Sequence, residues 1–109
     1  MAVRLLTDFE LMILLAILRL GDAAYGVPIA HEIEGATERP VTRASVYLAL
    51  ERLERMRFVT SEMGDPTPER GGRAKRFFTV TGAGLGAVKE AQRAFTTMWK
   101  GLPQLKASL

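Results

Sequence analysis

The chain has 109 residues, 48 % of them apolar and 25 % charged, which supports one ordinary globular core and excludes a disordered chain. It holds no cysteine, so disulfides, thiolate zinc sites and cysteine nucleophiles are excluded, and a reducing cytoplasm is the expected setting. The net charge of +3 is unevenly placed: two cations face six acids in residues 1–38, nine face five in 39–80, and four face one in 81–109. One surface is therefore basic enough to meet a polyanion.

Thr7-Asp8-Phe9-Glu10 has the spacing of a capping box and predicts a helix over about 8–20, ended by Gly21. Its apolar residues, Phe9, Leu11, Met12, Leu14, Leu15, Ile17 and Leu18, are spread around the whole wheel. Either this is a central core helix or a second chain covers its outer face. Its longest apolar run, residues 11–18, is far short of the roughly 20 residues of a bilayer span. Acids precede that run and no cleavage pattern follows it, so neither a membrane segment nor a signal peptide is expected.

A short connector, Asp22 to Gly26, leads to a second helix from Val27 to about Ala36, with Pro28 in its first turn and Ile29, Ala30 and Ile33 facing inward. After the turn Thr37-Glu38-Arg39-Pro40, Thr42 is the N-cap of a third helix, Arg43 to about Arg57. Val46, Ala49, Leu50, Leu53 and Met56 form its inward arc. Ala44, Tyr47, Leu48, Glu51 and Arg55 lie opposite, flanked by Arg43, Ser45 and Arg52.

Residues 58–63 and 75–80 read as two strands joined by a long Gly/Pro-rich loop, hence an antiparallel hairpin. Arg70, Arg73, Lys75 and Arg76 cluster around the Gly71-Gly72 turn. A last helix over about 83–101 carries Leu85, Val88, Gln92, Phe95, Trp99 and Leu102 at alternating steps of three and four, a heptad-like seam. Pro103 ends it, and the last six residues read as a tail.

Enzyme chemistry has no constellation to rest on. His31 is the single histidine, Gly71-Gly72-Arg73 lacks the spacing of a phosphate loop, and there is no His/Cys set for a metal. No cofactor is expected. What remains is the order α-α-α-β-β-α: a mainly α fold with a small β-hairpin, in which helices two and three form a helix-turn-helix and the hairpin makes it winged. The division expected is a winged DNA-binding part, residues 1–81, and a dimerisation helix with a short tail, residues 82–109. In such a fold the third helix enters the major groove through its N-terminal residues, and the basic hairpin lies on the adjacent backbone.

Three stretches, Tyr25-Gly26 with Ile29 and Ile33, Val41 to Glu54, and Gly71 to Thr81, resemble the PadR-like winged-helix transcriptional regulators across about residues 7–102. The resemblance implies a homodimer on a palindromic promoter element of double-stranded DNA, usually acting as a repressor. It departs from the family where Ala44 and Arg57 replace common glycines, Leu48 a common proline, and Phe77-Phe78 a tyrosine. The single C-terminal helix is similar to the family's small subgroup. In one type of that subgroup a tryptophan on this helix lines a pocket between subunits for planar aromatic small molecules, so Trp99 is a ligand candidate as well as a seam residue.

The DNA-contact candidates are Thr42, Arg43, Ser45, Tyr47, Leu48, Arg52, Arg70, Arg73, Lys75 and Arg76. Thr42 also has the plainer role of cap, and Arg52 and Arg55 also have that of pairing with Glu51 and Glu54. The dimerisation candidates are Phe9, Met12, Leu85, Val88, Phe95, Trp99 and Leu102. The competing class is a winged helix that only binds protein, which has no need of the four cations between Arg70 and Arg76. A membrane-surface role for the last helix is disfavoured by its sparse cations.

Overall fold

The chain runs through three helices, a hairpin and a fourth helix. A computed structural model describes residues 5–64 and 74–108, with side chains through residue 105. The first helix, α1, spans Asp8–Leu20. Its start is the expected capping box: the Thr7 hydroxyl accepts from the Glu10 amide at 3.0 Å, and Glu10 Oε1 accepts from the Thr7 amide at 2.9 Å. Gly21, at φ 58°, turns the chain out of the helix into a 3-10 turn over Gly21–Ala23.

Helix α2, Gly26–Thr37, and helix α3, Arg43–Arg55, pack with α1 around one core. Its fully buried members are Ile13 and Leu14 of α1, Ile29 of α2, and Val46, Ala49 and Leu53 of α3; Ile33 and Leu50 are almost as deep. Burial of each large aliphatic side chain contributes about 1.5–3 kcal/mol, and the inward stripes of α2 and α3 are therefore what fixes their crossing.

Strands β1, Val59–Met63, and β2, Arg76–Val80, pair antiparallel from Val59 opposite Val80 to Met63 opposite Arg76. The Gly64 amide donates to the Lys75 carbonyl at 2.7 Å and extends the pairing by one step. Val59 and Phe78 point into the core and Val80 packs partly against it, so the hairpin is fastened by the inward face of both strands.

Helix α4 spans Gly82–Trp99. Thr81 caps it by accepting from the Gly84 amide at 3.0 Å, and its hydroxyl donates to the Arg57 carbonyl at 2.7 Å. Its own amide donates to the Phe58 carbonyl at 3.0 Å. One threonine thus ties the end of α3, the hairpin and the start of α4 together. The backbone of Gly84 lies directly against the Phe58 carbonyl, where no Cβ fits.

Two helix ends fall two residues short of the sequence expectation, and the other bounds agree to within one residue. Helix α3 ends two residues before Arg57, and α4 ends at Trp99 rather than about 101. The segment expected as a tail forms a 3-10 turn over Pro103–Ser108, reached through Gly101 at φ 75°. The end of α3 has a local cause: the Phe58 amide donates to Leu53 O at 2.9 Å and the Arg57 amide to Glu54 O at 3.0 Å. This is a Schellman motif with a left-handed residue, Arg57 at φ 65°, where glycine is usual.

Candidate nucleic-acid interface

Helix α3 begins outside the core. Thr42 Oγ1 accepts from the Ser45 amide at 3.1 Å, while the Thr42 hydroxyl donates to Ser45 Oγ at 3.0 Å and the Ser45 hydroxyl donates to the Thr42 carbonyl at 2.8 Å. Both hydroxyl protons are therefore spent on the cap. The preceding turn is held by Glu34, whose Oε2 accepts from the Val41 amide at 2.9 Å, and by Glu38 in a left-handed conformation at the end of α2. Arg43, Ala44, Tyr47 and Leu48 are exposed on the first two turns, Leu48 at 57 %.

Arg52 is placed differently from its exposed neighbours. Its Nε donates at 2.9 Å to Glu10 Oε2, and the Glu10 side chain is 0 % exposed. A carboxylate sealed into the core needs a partner of opposite charge, and Arg52 supplies it across 42 residues of sequence. The pairing expected with Glu51 or Glu54 does not occur for Arg52. Glu51 lies 4.0 Å from Arg55, and Glu54 accepts from the Ser61 hydroxyl at 2.8 Å.

The described cations of the hairpin sit at the turn end of its strands, at and just beyond the Met63–Arg76 step. Lys75 Nζ lies 4.8 Å from the centre of the Tyr25 ring, and that ring meets Phe77 edge-on at 5.4 Å. Arg76 Nη1 donates to Ser61 Oγ at 3.0 Å, in line with Ser61 and Glu54. Arg70, Arg73 and the Gly71-Gly72 turn lie outside the described residues.

The connector before α2 touches both elements. The Phe78 amide donates to the Ala24 carbonyl at 2.8 Å, along the edge of β2 away from β1. Tyr25 stacks with Phe77, and Gly26 lies under the Tyr47 ring of α3, where an added Cβ would overlap the phenol. The spacing of Tyr25-Gly26 marks a short connector and carries part of the family resemblance, but nothing in it announces the two contacts.

Away from this face, Leu85, Phe95, Met98, Trp99 and Leu102 are exposed, with Trp99 at 58 %, and Phe95 and Trp99 lie 6.1 Å apart. Val88 packs partly on the core. On α1 the exposed large residues are Leu15 and Leu18, whereas Phe9 and Met12 are partly buried against the chain's own core. A shallow depression on α4 is lined by Lys89, Gln92, Arg93, Thr96, Thr97 and Lys100, and Trp99 does not line it.

A profile of the transcriptional regulator PadR-like family matches residues 14–90, which takes in α1 from Leu14, the helix-turn-helix, the hairpin and the first half of α4. The chain belongs to this family. The PadR-like assignment makes it a transcriptional regulator rather than an enzyme, and DNA is the partner that the family implies.

Solved structures agree on the fold. A PadR family transcription regulator from Clostridium difficile is 23 % identical with a TM-score of 0.70, covering 90 % of this chain and 98 % of that chain. A transcriptional regulator from Clostridium thermocellum is 22 % identical at 0.68, covering 84 % and 85 %. A PadR-like transcriptional regulator from Bacillus cereus is 18 % identical at 0.68, covering 83 % and 82 %. Among curated proteins no relative matches. No helix among the described residues is long and apolar enough to cross a membrane.

Proposed function

We propose that this PadR-like protein is a sequence-specific repressor that binds a palindromic operator as a homodimer. Helix α3 enters the major groove through Arg43, Ala44, Tyr47 and Leu48, and the hairpin rests on the flanking backbone through Arg70, Arg73, Lys75 and Arg76. The observation that carries this reading is the two-sidedness of α3: one arc is locked in the core while Arg43, Ala44, Tyr47 and Leu48 on the other stand in solvent, in a chain whose hairpin segment is rich in cations. Thr42 and Ser45 act in it through the helix start, whose free amides favour a phosphate. Arg52 acts as an anchor of α3, since its Nε is held by Glu10.

The uncovered apolar surface supports the dimer. Phe95, Met98 and Trp99 stand exposed on the second half of α4, and Leu15 and Leu18 on α1. Laying α4 of one chain against α1 of its partner covers both faces and sets two copies of α3 at a fixed separation. The Phe95–Trp99 pair at that seam is also where a planar aromatic effector would insert and relieve repression.

The decisive experiment is sedimentation and operator titration of Phe95→Glu beside the parent protein. A charge in the seam should give a monomer that has lost operator affinity, because each half-site then binds alone. An intact dimer in Phe95→Glu would refute the α4–α1 arrangement. Quenching of the single tryptophan, Trp99, by planar aromatic compounds is the expected mark of the effector site, and a flat titration would remove that part of the reading.

A further inference from the structure

Resting on the DNA-binding reading above, we propose that α3 recognises its operator chiefly through the 5-methyl groups of thymines, with Leu48 and Ala44 as the specificity-determining residues. Ala44 and Leu48 are one helical turn apart on the arc opposite Val46, Ala49 and Leu53, so in a groove-docked α3 they point at the base edges. Both are exposed and neither carries a polar atom beyond the backbone.

Apart from the exposed Arg43, the polar side chains around them have contacts within the chain. The hydroxyl protons of Thr42 and Ser45 are used within the cap. Arg52 is bonded through Nε to the buried Glu10. Glu51 and Arg55, one turn further on, lie 4.0 Å from each other. Tyr47 is drawn towards α2 by the seat of its ring on Gly26.

An apolar side chain in the major groove discriminates by what it can touch and by what it leaves unpaired. A thymine offers a methyl group to Leu48. A guanine there offers two acceptors, which an aliphatic side chain would strip of water without replacing the hydrogen bonds. The apolar pair therefore favours thymine and disfavours G·C at the positions it covers. Arg43 and the hairpin cations supply affinity through phosphates and leave that preference to the aliphatic pair.

The test uses the full chain and double-stranded DNA. Sequences selected from a random pool should share thymines at the same positions of each half-site. Replacing each such thymine by deoxyuracil removes only the methyl group. Affinity should fall about fourfold per methyl, the equivalent of one buried carbon, and about sixteenfold for a symmetric pair. Leu48→Ala, a change at a solvent-exposed position that leaves the core intact, should bind the thymine and uracil sites within about twofold of each other. Enriched sites whose affinity ignores uracil, or a Leu48→Ala protein as sensitive to uracil as its parent, would overturn the inference and leave DNA binding standing. Failure of the parent protein to enrich any sequence would overturn both.

Discussion

Arg57 offers a direct measure of a backbone conformation against a side chain. It is held at φ 65° by the Schellman motif that ends α3, with its amide on Glu54 O and its carbonyl taken by the Thr81 hydroxyl. The left-handed region costs a residue bearing a Cβ roughly 1–2 kcal/mol. Glycine removes that cost but adds back about 0.4–1 kcal/mol of unfolded-state freedom. Arg57→Gly should therefore stabilise the fold by about 0.5–1 kcal/mol, which for a chain of this length is about 2–6 °C in Tm. Arg57→Ala loses the same guanidinium and keeps the strained conformation, so it should show no such gain. Urea melts of the three proteins at one fixed concentration isolate the backbone contribution, because assembly would otherwise shift the midpoints. If Arg57→Ala proves as stable as Arg57→Gly, the left-handed strain at this site is not the quantity being measured.

Gly84 and Gly86 should respond oppositely to alanine. Gly84→Ala forces a Cβ into the Phe58 carbonyl and should cost about 1–3 kcal/mol, while Gly86 has nothing within 4 Å and should gain about 1 kcal/mol of helix propensity. Equal effects in thermal melts would remove the close approach of α4 to the hairpin from the account. The Glu10–Arg52 pair should show a coupling of about 1–3 kcal/mol in a double-mutant cycle of Glu10→Ala and Arg52→Ala, and strict additivity would refute it as a structural anchor.

Local spacing carried most of what the chain discloses about itself. Thr7 and Glu10 lie three residues apart, Thr42 precedes an unambiguous apolar stripe, and two β-rich runs bracket a glycine pair, so each element is written within a few residues of itself. The contacts that escape are those between elements. Glu10 and Arg52 are 42 residues apart, and nothing near Glu10 marks it as buried. The sequence runs α3 past its true end because the glycine that would announce that end is an arginine. On α1, apolar residues all round the wheel leave periodicity unable to choose a face, so Leu15 and Leu18 were not separated from Phe9 and Met12. The hairpin cations Lys75 and Arg76 were legible as charge, but their anchoring on Tyr25 and Ser61 required the register of the strands.

The connector at Ala24–Tyr25–Gly26 has a consequence for how operators diverge. Its three consecutive residues hold β2 by a backbone hydrogen bond, Phe77 of β2 by an edge-on ring contact, and Tyr47 of α3 by leaving out a side chain. Hairpin and α3 are thus registered to one short ruler, and neither can be re-aimed without moving the other. If α3 and the hairpin grip an operator as proposed, new operators are reached by changing letters at Ala44 and Leu48, or by changing the spacing that a proposed α4-mediated dimer sets. On that reading, the stretch of duplex that one chain grips stays constant.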